Sequence, residues 1–191
     1  MTRKTITFII LIFFLFNPAF AADKDSTKVS LNRYSLSIGA GWTHYINTLE
    51  IGKDFAKTNS AGIALKFYWE PEHRLSLGLE TGFYRLYKLK GETTGQITMS
   101  AIPLLLNIRM RIVDNFYLSA GAGLAIMFNK ITGLDKDLTN QILSLSNYQF
   151  SGSYLYPVNK HWNFGGEFKV MTYGKSADWM YTLQAVCAVK L

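Results

Sequence analysis

The segment Tyr34-Ser35-Leu36-Ser37-Ile38-Gly39-Ala40-Gly41-Trp42-Thr43 decides the fold, because apolar residues alternate with small or polar ones along its whole length. Successive side chains of a β-strand point to opposite faces, so this segment has one apolar face and one polar face. The alternation recurs in eight segments, at about 33–44, 60–70, 73–87, 96–111, 115–129, 146–157, 161–173 and 178–191. The sequence therefore predicts an all-β protein, an eight-stranded antiparallel barrel of up-and-down topology.

The charged residues distinguish two kinds of eight-stranded barrel. One face of the predicted strands carries many Gly and Ser residues together with Lys66, Glu80, Arg109, Glu167 and Lys169, and the opposite face is almost free of charge. A soluble barrel of lipocalin type turns its apolar face inward and its charges outward. A charge that faces lipid at mid-depth costs about 2–4 kcal/mol, so in a membrane the apolar face must be the outer one. This distribution favours a transmembrane β-barrel.

The connections between the predicted strands alternate in length. Residues 70–73, 113–115 and 158–160 are short and polar, whereas residues 45–59, 88–95 and 130–145 are longer. Outer-membrane barrels have short periplasmic turns and longer external loops. The alternation therefore predicts that both ends of the barrel domain lie on the periplasmic side.

Aromatic residues gather near both ends of the predicted strands. Towards the longer connections lie Trp42, Phe83, Phe128, Tyr173 and Trp179. Towards the short turns lie Tyr34, Trp69, Phe116, Tyr156 and Trp162. Amphipathic rings favour the two membrane interfaces, so these residues predict a pair of aromatic belts.

The N-terminus has the pattern of an export signal. Arg3 and Lys4 precede an apolar stretch at residues 6–16, and Ala19-Phe20-Ala21 fits a signal-peptidase site. We expect residues 1–22 to be a cleaved signal peptide, 23–32 a short periplasmic segment and 33–191 the barrel domain, located in the outer membrane of a Gram-negative cell. The last strand is apolar at alternate positions through Leu191, as in strands that the barrel-assembly machinery recognises, so that machinery is the expected partner during insertion.

The charge balance is basic. The chain has 20 Lys and Arg residues against 13 Asp and Glu, and removal of Arg3 and Lys4 leaves 18 against 13, a net charge of +5. A basic balance can indicate nucleic acid, but an exported chain rarely meets any. Anionic lipopolysaccharide or the solubility of the loops explains the basic balance better. We expect outer-membrane lipids and lipopolysaccharide as partners, no nucleic acid, and a monomer.

One part of the chain resembles a known family. The segments Ser100–Arg109 (SAIPLLLNIR) and Asn115–Leu124 (NFYLSAGAGL) are similar to the "IPLLLKY … YLGAGPYLGYL" region of the PorT-like, porin-family outer-membrane β-barrel domain of Bacteroidetes. The close similarity covers about 30 residues, and it departs from the family at Asn107, where Lys is usual, and at Ala122, where Pro is usual. The resemblance implies an outer-membrane barrel. This domain is functionally diverse and has no catalytic residues to transfer.

Pro103 lies in the middle of a predicted strand. Proline cannot donate a ladder hydrogen bond and normally avoids central strands. We expect a local β-bulge to accommodate it.

The charged face supplies the first candidate site. Eight strands enclose an interior just wide enough for side chains to fill. Lys66, Glu80, Arg109, Glu167 and Lys169 are therefore predicted to form an ion-pair network across the lumen. We expect this network to act as a plug that stiffens the barrel; the alternative is a narrow, gated path for water or small solutes.

The longest apolar connection supplies the second candidate site. Within residues 130–145, Leu134, Leu138 and Ile142 have roughly helical spacing, which predicts a short amphipathic helix over the barrel mouth. Such a helix would either bind a partner or cover the lumen. Asp135-Lys136-Asp137 resembles half of a calcium loop but lacks its Gly and its terminal Glu, so no metal is expected.

Catalysis is not expected. The chain has three His residues, His44, His73 and His161, and none is placed with both a Ser and an orienting carboxylate. No cofactor is expected. The sequence predicts a non-enzymatic outer-membrane barrel with a structural or loop-mediated binding role; the alternatives are a narrow porin-like pore or an accessory component of a secretion system.

Overall fold

The computed structural model describes residues 33–46, 56–72, 74–90, 95–133, 138–173 and 178–191. The predicted signal peptide, the segment 23–32, His73 and Leu134 lie outside the described residues. Within them, no helix is long and apolar enough to cross a membrane.

The described residues form eight long strands and one strand of two residues. The strands are β1 (Arg33–Ile46), β2 (Ala56–Lys57), β3 (Asn59–Glu72), β4 (Leu75–Lys90), β5 (Gln96–Val113), β6 (Phe116–Thr132), β7 (Leu138–Pro157), β8 (Trp162–Tyr173) and β9 (Asp178–Lys190). All pairings are antiparallel, and the short β2 pairs with the end of β4. The long strands pair in chain order, with β1 also joined to β9, which closes the sheet into a barrel. The predicted eight-stranded antiparallel barrel is confirmed.

The two ends of the barrel differ in their connections. We call the end that holds the two-residue connections 73–74 and 114–115 and the turn 158–161 the turn end, and the opposite end the loop end. The first residue of β1 and the last of β9 both lie at the turn end.

The two faces of the sheet differ as the alternation predicts. Large apolar side chains cover the outside, and Leu106, near the middle of β5, keeps 70% of its surface exposed. The charged and hydroxyl side chains of the same strands are buried inside. A soluble barrel would bury the apolar set, so the apolar outer surface identifies a barrel that faces lipid.

Exposed aromatic side chains lie near both ends of the outer surface. Trp42, Phe83 and Trp179 are exposed towards the loop end, and Tyr34, Trp69, Phe116, Tyr156 and Trp162 towards the turn end. Tyr173 was wrongly assigned to the loop-end belt. Its side chain is fully buried in the lumen, because Tyr173 shares the inward face of β8 with Lys169 and Met171.

The longest predicted loop is partly strand. β7 begins at Leu138, eight residues before the predicted strand, and pairs with β6 from Ile131↔Leu138 onwards. The predicted helix is therefore wrong for Leu138 and Ile142. Residues four apart share one face of a helix and also one face of a strand, so this spacing does not separate the two structures.

The expected bulge at Pro103 is also wrong. Pro103 pairs in regular register with Ala125 of β6, and the β4–β5 register is the same on both sides of it, at Thr81↔Leu104 and Tyr84↔Ala101. The register changes instead between Arg85 and Tyr87, where β4 has one extra residue.

Candidate functional site in the barrel lumen

Four charged side chains meet in the middle of the lumen. Lys66 on β3 lies directly opposite Glu80 on β4, and Glu167 and Lys169 are two residues apart on β8. An interval of two places both β8 side chains on the same inward face. All four residues are at most 5% exposed.

The four charges alternate in sign around a closed ring, which we call the charge square. Lys66 donates to Glu167 Oε2, and Lys169 donates to Glu80 Oε1. The two remaining sides are longer: 3.9 Å from Lys66 Nζ to Glu80 Oε2 and 3.7 Å from Lys169 Nζ to Glu167 Oε1. Each buried charge therefore has two partners of opposite sign, and the square as a whole is neutral.

Neutral donors complete the contacts of Glu80. Asn107 Nδ2 and Gln149 Nε2 donate to Glu80 Oε2 at 2.9 and 2.7 Å. Gln149 also donates to Asn107 Oδ1 at 2.7 Å, and Lys169 Nζ lies 3.2 Å from the Tyr84 hydroxyl. A buried carboxylate needs such donors, because desolvation of a charge is costly unless its lone pairs are satisfied.

The sequence does not predict Gln149 or Asn107 as members of the lumen network. Asn107 was recognisable only as a member of the polar face of its strand. The inward positions of β7 include Asn147, Gln149, Ser151 and Ser153. This polar alternation was the available signal, and the exposed residues at the start of β7 obscured it.

Arg109 belongs to a second cluster, nearer the turn end. Its guanidinium donates to Glu70 Oε1 and to Ser35 Oγ, and Ser35 donates to the same Glu70 oxygen at 3.1 Å. The guanidinium carbon lies 3.9 Å from the centre of the Tyr68 ring and 4.9 Å from that of Tyr117. The structure thus brings together four of the five predicted lumen residues and pairs the fifth separately.

Glu70 was assigned from the sequence to a short turn. It lies on β3, two residues from Tyr68 and four from Lys66, on the same inward face. The strand continues to Glu72, so its alternation was the signal that identified Glu70 as a lumen residue.

An apolar layer fills the lumen between the charge square and the loop end. Its fully buried members include Tyr84, Leu86, Leu105, Met171, Tyr173 and Met180. At its upper edge the hydroxyl of Tyr45 donates to Asp178 Oδ2 at 2.8 Å. The small and charged residues that mark the inward face in the sequence do not predict this layer.

The turn-end half of the lumen contains a small gap. A water-sized gap lies between Arg109 and the charge square, lined by Ser37, Ser119, Ser153 and neighbouring side chains. Within the described part of the chain, Nε of Arg109 and Oε1 of Glu167, both on residues that line this gap, make no hydrogen bond. Buried polar atoms around a gap of this size are the surroundings in which proteins hold internal water.

At the loop end the β6–β7 hairpin extends beyond the end of β8. Residues 138–147 of β7 pair with β6, whereas pairing with β8 starts only at Tyr148↔Thr172. Leu138 and Ile142 are 55% and 50% exposed, on the hairpin face that continues the lumen surface. Leu143 is exposed on the opposite face.

The described His residues lie at the two ends of the barrel. His44 stacks on Trp42, and its Nδ1 lies 2.9 Å from Asn59 Oδ1. His161 is exposed in a turn. Among the described residues, no cluster of three or more His, Cys, Asp and Glu side chains is arranged to hold a metal ion.

The fold is similar to two solved structures. Ail, the attachment invasion locus protein of Yersinia pestis, gives a TM-score of 0.57 at 11% identity, over 84% of this chain and 99% of that chain. A major outer membrane protein from Thermus thermophilus gives 0.52 at 14% identity, also over 84% and 99%. No protein-family model and no curated protein matches the sequence. The chain therefore has the fold of the eight-stranded outer-membrane β-barrels.

Proposed function

We propose that this chain is a non-enzymatic outer-membrane protein whose lumen is closed and which acts through its loop end, as a structural protein or by binding. The observation that carries this proposal is the filled lumen. From the loop end inward, an apolar layer, the charge square and the Arg109–Glu70 pair succeed one another along the barrel axis.

The apolar outer surface and the exposed aromatic residues near both ends support an outer-membrane location. In that membrane the short connections favour a periplasmic turn end. The same proposal includes export by the signal peptide at residues 1–22. It also includes membership of the PorT-like group, which is supported by the similarity at Ser100–Leu124.

Closure of the lumen follows from the energy of the charge square. Removal of one partner from a buried ion pair typically costs about 3–5 kcal/mol, because the remaining charge is left uncompensated. A solute that passed through would have to separate these pairs and also displace the apolar layer above them. The filled lumen therefore favours a closed barrel over the alternative of a narrow pore.

Single-channel recording tests closure. The mature chain, residues 23–191, folded into planar bilayers, is expected to give no stable openings. Glu80→Gln and Lys66→Met are the matched lumen variants. Stable small openings in the unaltered chain, changed in size by either substitution, would establish the pore instead. Folding is verified in the same samples by slower migration of the boiled barrel in gels that contain dodecyl sulfate.

Binding by the loop end is carried by the β6–β7 hairpin. Leu138 and Ile142 present apolar surface there, and among the described strands none pairs with residues 138–147 on the β8 side. An exposed strand edge is a template for an additional strand. A photo-crosslinking residue at Ile142, in cells that produce the chain, is expected to capture a protein partner that the same residue at lipid-facing Ile63 does not.

A further inference from the structure

Three basic side chains lie on the outer surface of the barrel at its loop end. They are Arg85 and Lys88 on β4 and Lys130 on β6, and we call them the basic patch. Inside the lumen, Lys66, Lys169 and Arg109 pair with carboxylates, as described above. The basic patch faces the opposite way, towards the surroundings of the barrel.

The β-bulge in β4 places two of these cations on one face. Arg85 and Lys88 are three positions apart, an interval that in a regular strand points to opposite faces. The extra residue, Leu86, restores a common face: Arg85 pairs with Ser100, and Lys88 with Thr98, two residues away on β5. Bulges characteristically re-aim side chains in this way. Leu86 itself is buried in the apolar layer of the lumen.

The third cation lies across β5. Thr98 pairs with Lys130, so Lys88, Thr98 and Lys130 form one row across three strands. Adjacent strands are about 4.8 Å apart, which places the Cα atoms of Lys88 and Lys130 about 10 Å apart on either side of a small hydroxyl residue. Ammonium and guanidinium groups at this spacing, over Thr and Ser, fit the oxygens of one phosphate group.

The depth of the basic patch matches a lipid headgroup. Phe83 is exposed two residues from Arg85 towards the turn end, and Ile126 is exposed four residues from Lys130. Two residues along a strand correspond to about 7 Å, so the cations lie just beyond the apolar surface. Among the described residues, neither Arg85 nor Lys88 forms an ion pair with a carboxylate.

The turn end is arranged differently. The strand cations there are Arg33, Arg111 and Lys190, which continue the inward faces of Ser35, Arg109 and Ala188. Within the described strands, outward-facing cations with described side chains are found at the loop end alone. The outer surface of the described strands thus offers positive charge to one leaflet of the membrane.

We propose that the basic patch binds the phosphate groups of lipid A in the outer leaflet. This inference rests on the proposed function, because it requires the loop end to face outward in an outer membrane. Lys88 and Lys130 flank one phosphate, and Arg85 contacts it from the adjacent row, while Phe83 and Ile126 contact the acyl chains below.

Native mass spectrometry of the full chain, folded in detergent micelles, tests the proposal with bisphosphorylated lipid A as the probe. The triple variant Arg85→Gln, Lys88→Gln, Lys130→Gln is compared with Arg33→Gln, Arg111→Gln, Lys190→Gln, which removes the same charge at the turn end. One interfacial cation near an anionic headgroup contributes about fivefold in affinity. We therefore expect the loop-end variant to bind about 100-fold more weakly and the turn-end variant to stay within about threefold of the unaltered chain.

Two further binding measurements distinguish a lipid phosphate from free phosphate. Lipid A that lacks both phosphates is expected to bind the unaltered chain weakly. Its affinity should equal that of intact lipid A for the loop-end variant. Millimolar inorganic phosphate is expected to leave the lipid A complex in place; complete displacement would assign the patch to free phosphate and overturn the proposal.

Equal affinity of the loop-end variant and the unaltered chain, or equal losses in both triple variants, would also overturn it. Heat-modifiable migration in gels is measured for every variant. A folded barrel that does not bind lipid A contradicts only the phosphate site, whereas a chain that does not fold in detergent or lipid contradicts the proposed membrane barrel itself.

Discussion

Lys66 and Glu80 face each other across neighbouring strands, yet each makes its closer ion contact with β8 on the other side of the lumen. Lys66 contacts Glu167 and Glu80 contacts Lys169, while the two cross-strand neighbours remain 3.9 Å apart. The charge square therefore joins the β3–β4 pair to β8 directly through the barrel interior. Such a contact adds to the sheet hydrogen bonds, which connect these strands only around the circumference.

Lys169→Met is expected to destabilise the folded barrel by about 3–5 kcal/mol, because it leaves a buried carboxylate pair with one cation. Urea unfolding in lipid vesicles, followed by tryptophan fluorescence, measures the change. Lys160→Met, at an exposed turn position, is the control and is expected to stay within about 0.5 kcal/mol. Equal stability of both variants would show that the charge square does not support the fold.

Lys169→Met and Glu80→Gln are expected to be non-additive. The double variant removes one charge of each sign and leaves the Lys66–Glu167 pair intact. Residues in one ion-pair network show coupling energies of about 0.5–3 kcal/mol. The control combines Lys169→Met in the charge square with Glu70→Gln in the Arg109 cluster. Because the two clusters are separate, the two changes in the free energy of unfolding are expected to add within about 0.5 kcal/mol. The same unfolding assay measures both cycles, and coupling of similar size in both would contradict the separation of the clusters.

In two cross-strand pairs between β3 and β4, the ring of a tyrosine in the lumen packs over the glycine opposite it. Tyr68 pairs with Gly78 and Tyr84 with Gly62, and a Cβ atom at either glycine would lie 2.4 Å from the ring Cδ1. At Gly78 the Phe67 carbonyl oxygen would also be 2.5 Å away, so movement of the ring alone does not relieve the clash. Gly78→Ala is expected to cost about 1–3 kcal/mol by overpacking.

Gly166→Ala is the control for this substitution, because a Cβ there would have its nearest neighbour at 3.8 Å. It is expected to change the free energy of unfolding by less than about 0.5 kcal/mol. If Gly78→Ala were equally neutral, the ring of Tyr68 would not occupy the space above Gly78 in the folded barrel.

Leu106→Arg tests which surface faces lipid. Leu106 is exposed near the middle of β5, and a charge at the bilayer midplane costs about 2–4 kcal/mol. Val158→Arg changes a similarly exposed residue in the turn 158–161 at the turn end, where the cost is expected to be about 0–1 kcal/mol. Unfolding in vesicles compares the two. Equal and small effects would mean that the apolar surface is not embedded in a bilayer.

The strands and their faces were predictable from the sequence because one repeat, the alternation of apolar and polar residues, determines both. It assigned Lys66, Glu80, Arg109, Glu167 and Lys169 to one face, and all five side chains are buried inside. The position of a residue along the barrel axis, relative to residues on distant strands, depends on the stagger between the strands. The alternation of apolar and polar residues carries no information on this stagger. Arg109 therefore could not be separated from the charge square before the register was known.

Other features depend on interactions that a single strand does not show. The register change at Leu86 reverses the facing of the residues that follow it, so Lys88 could not be assigned to the outer surface by counting from Arg85. The apolar layer in the lumen combines residues from most of the strands, each with too few apolar inward positions to form a pattern. Leu138 and Ile142 were misassigned because an interval of four fits both secondary structures.

The seam between β1 and β9 has a consequence for the order of assembly. It runs from Ser35↔Lys190 to Ile46↔Trp179 and joins segments more than 130 positions apart in the chain. Until β9 is in place, both rims of the curved sheet carry unpaired backbone amides and carbonyls, each of which costs several kcal/mol in hydrocarbon. A partly formed sheet is therefore unstable in the bilayer core unless its two edges are covered, so insertion is energetically coupled to closure of the β1–β9 seam.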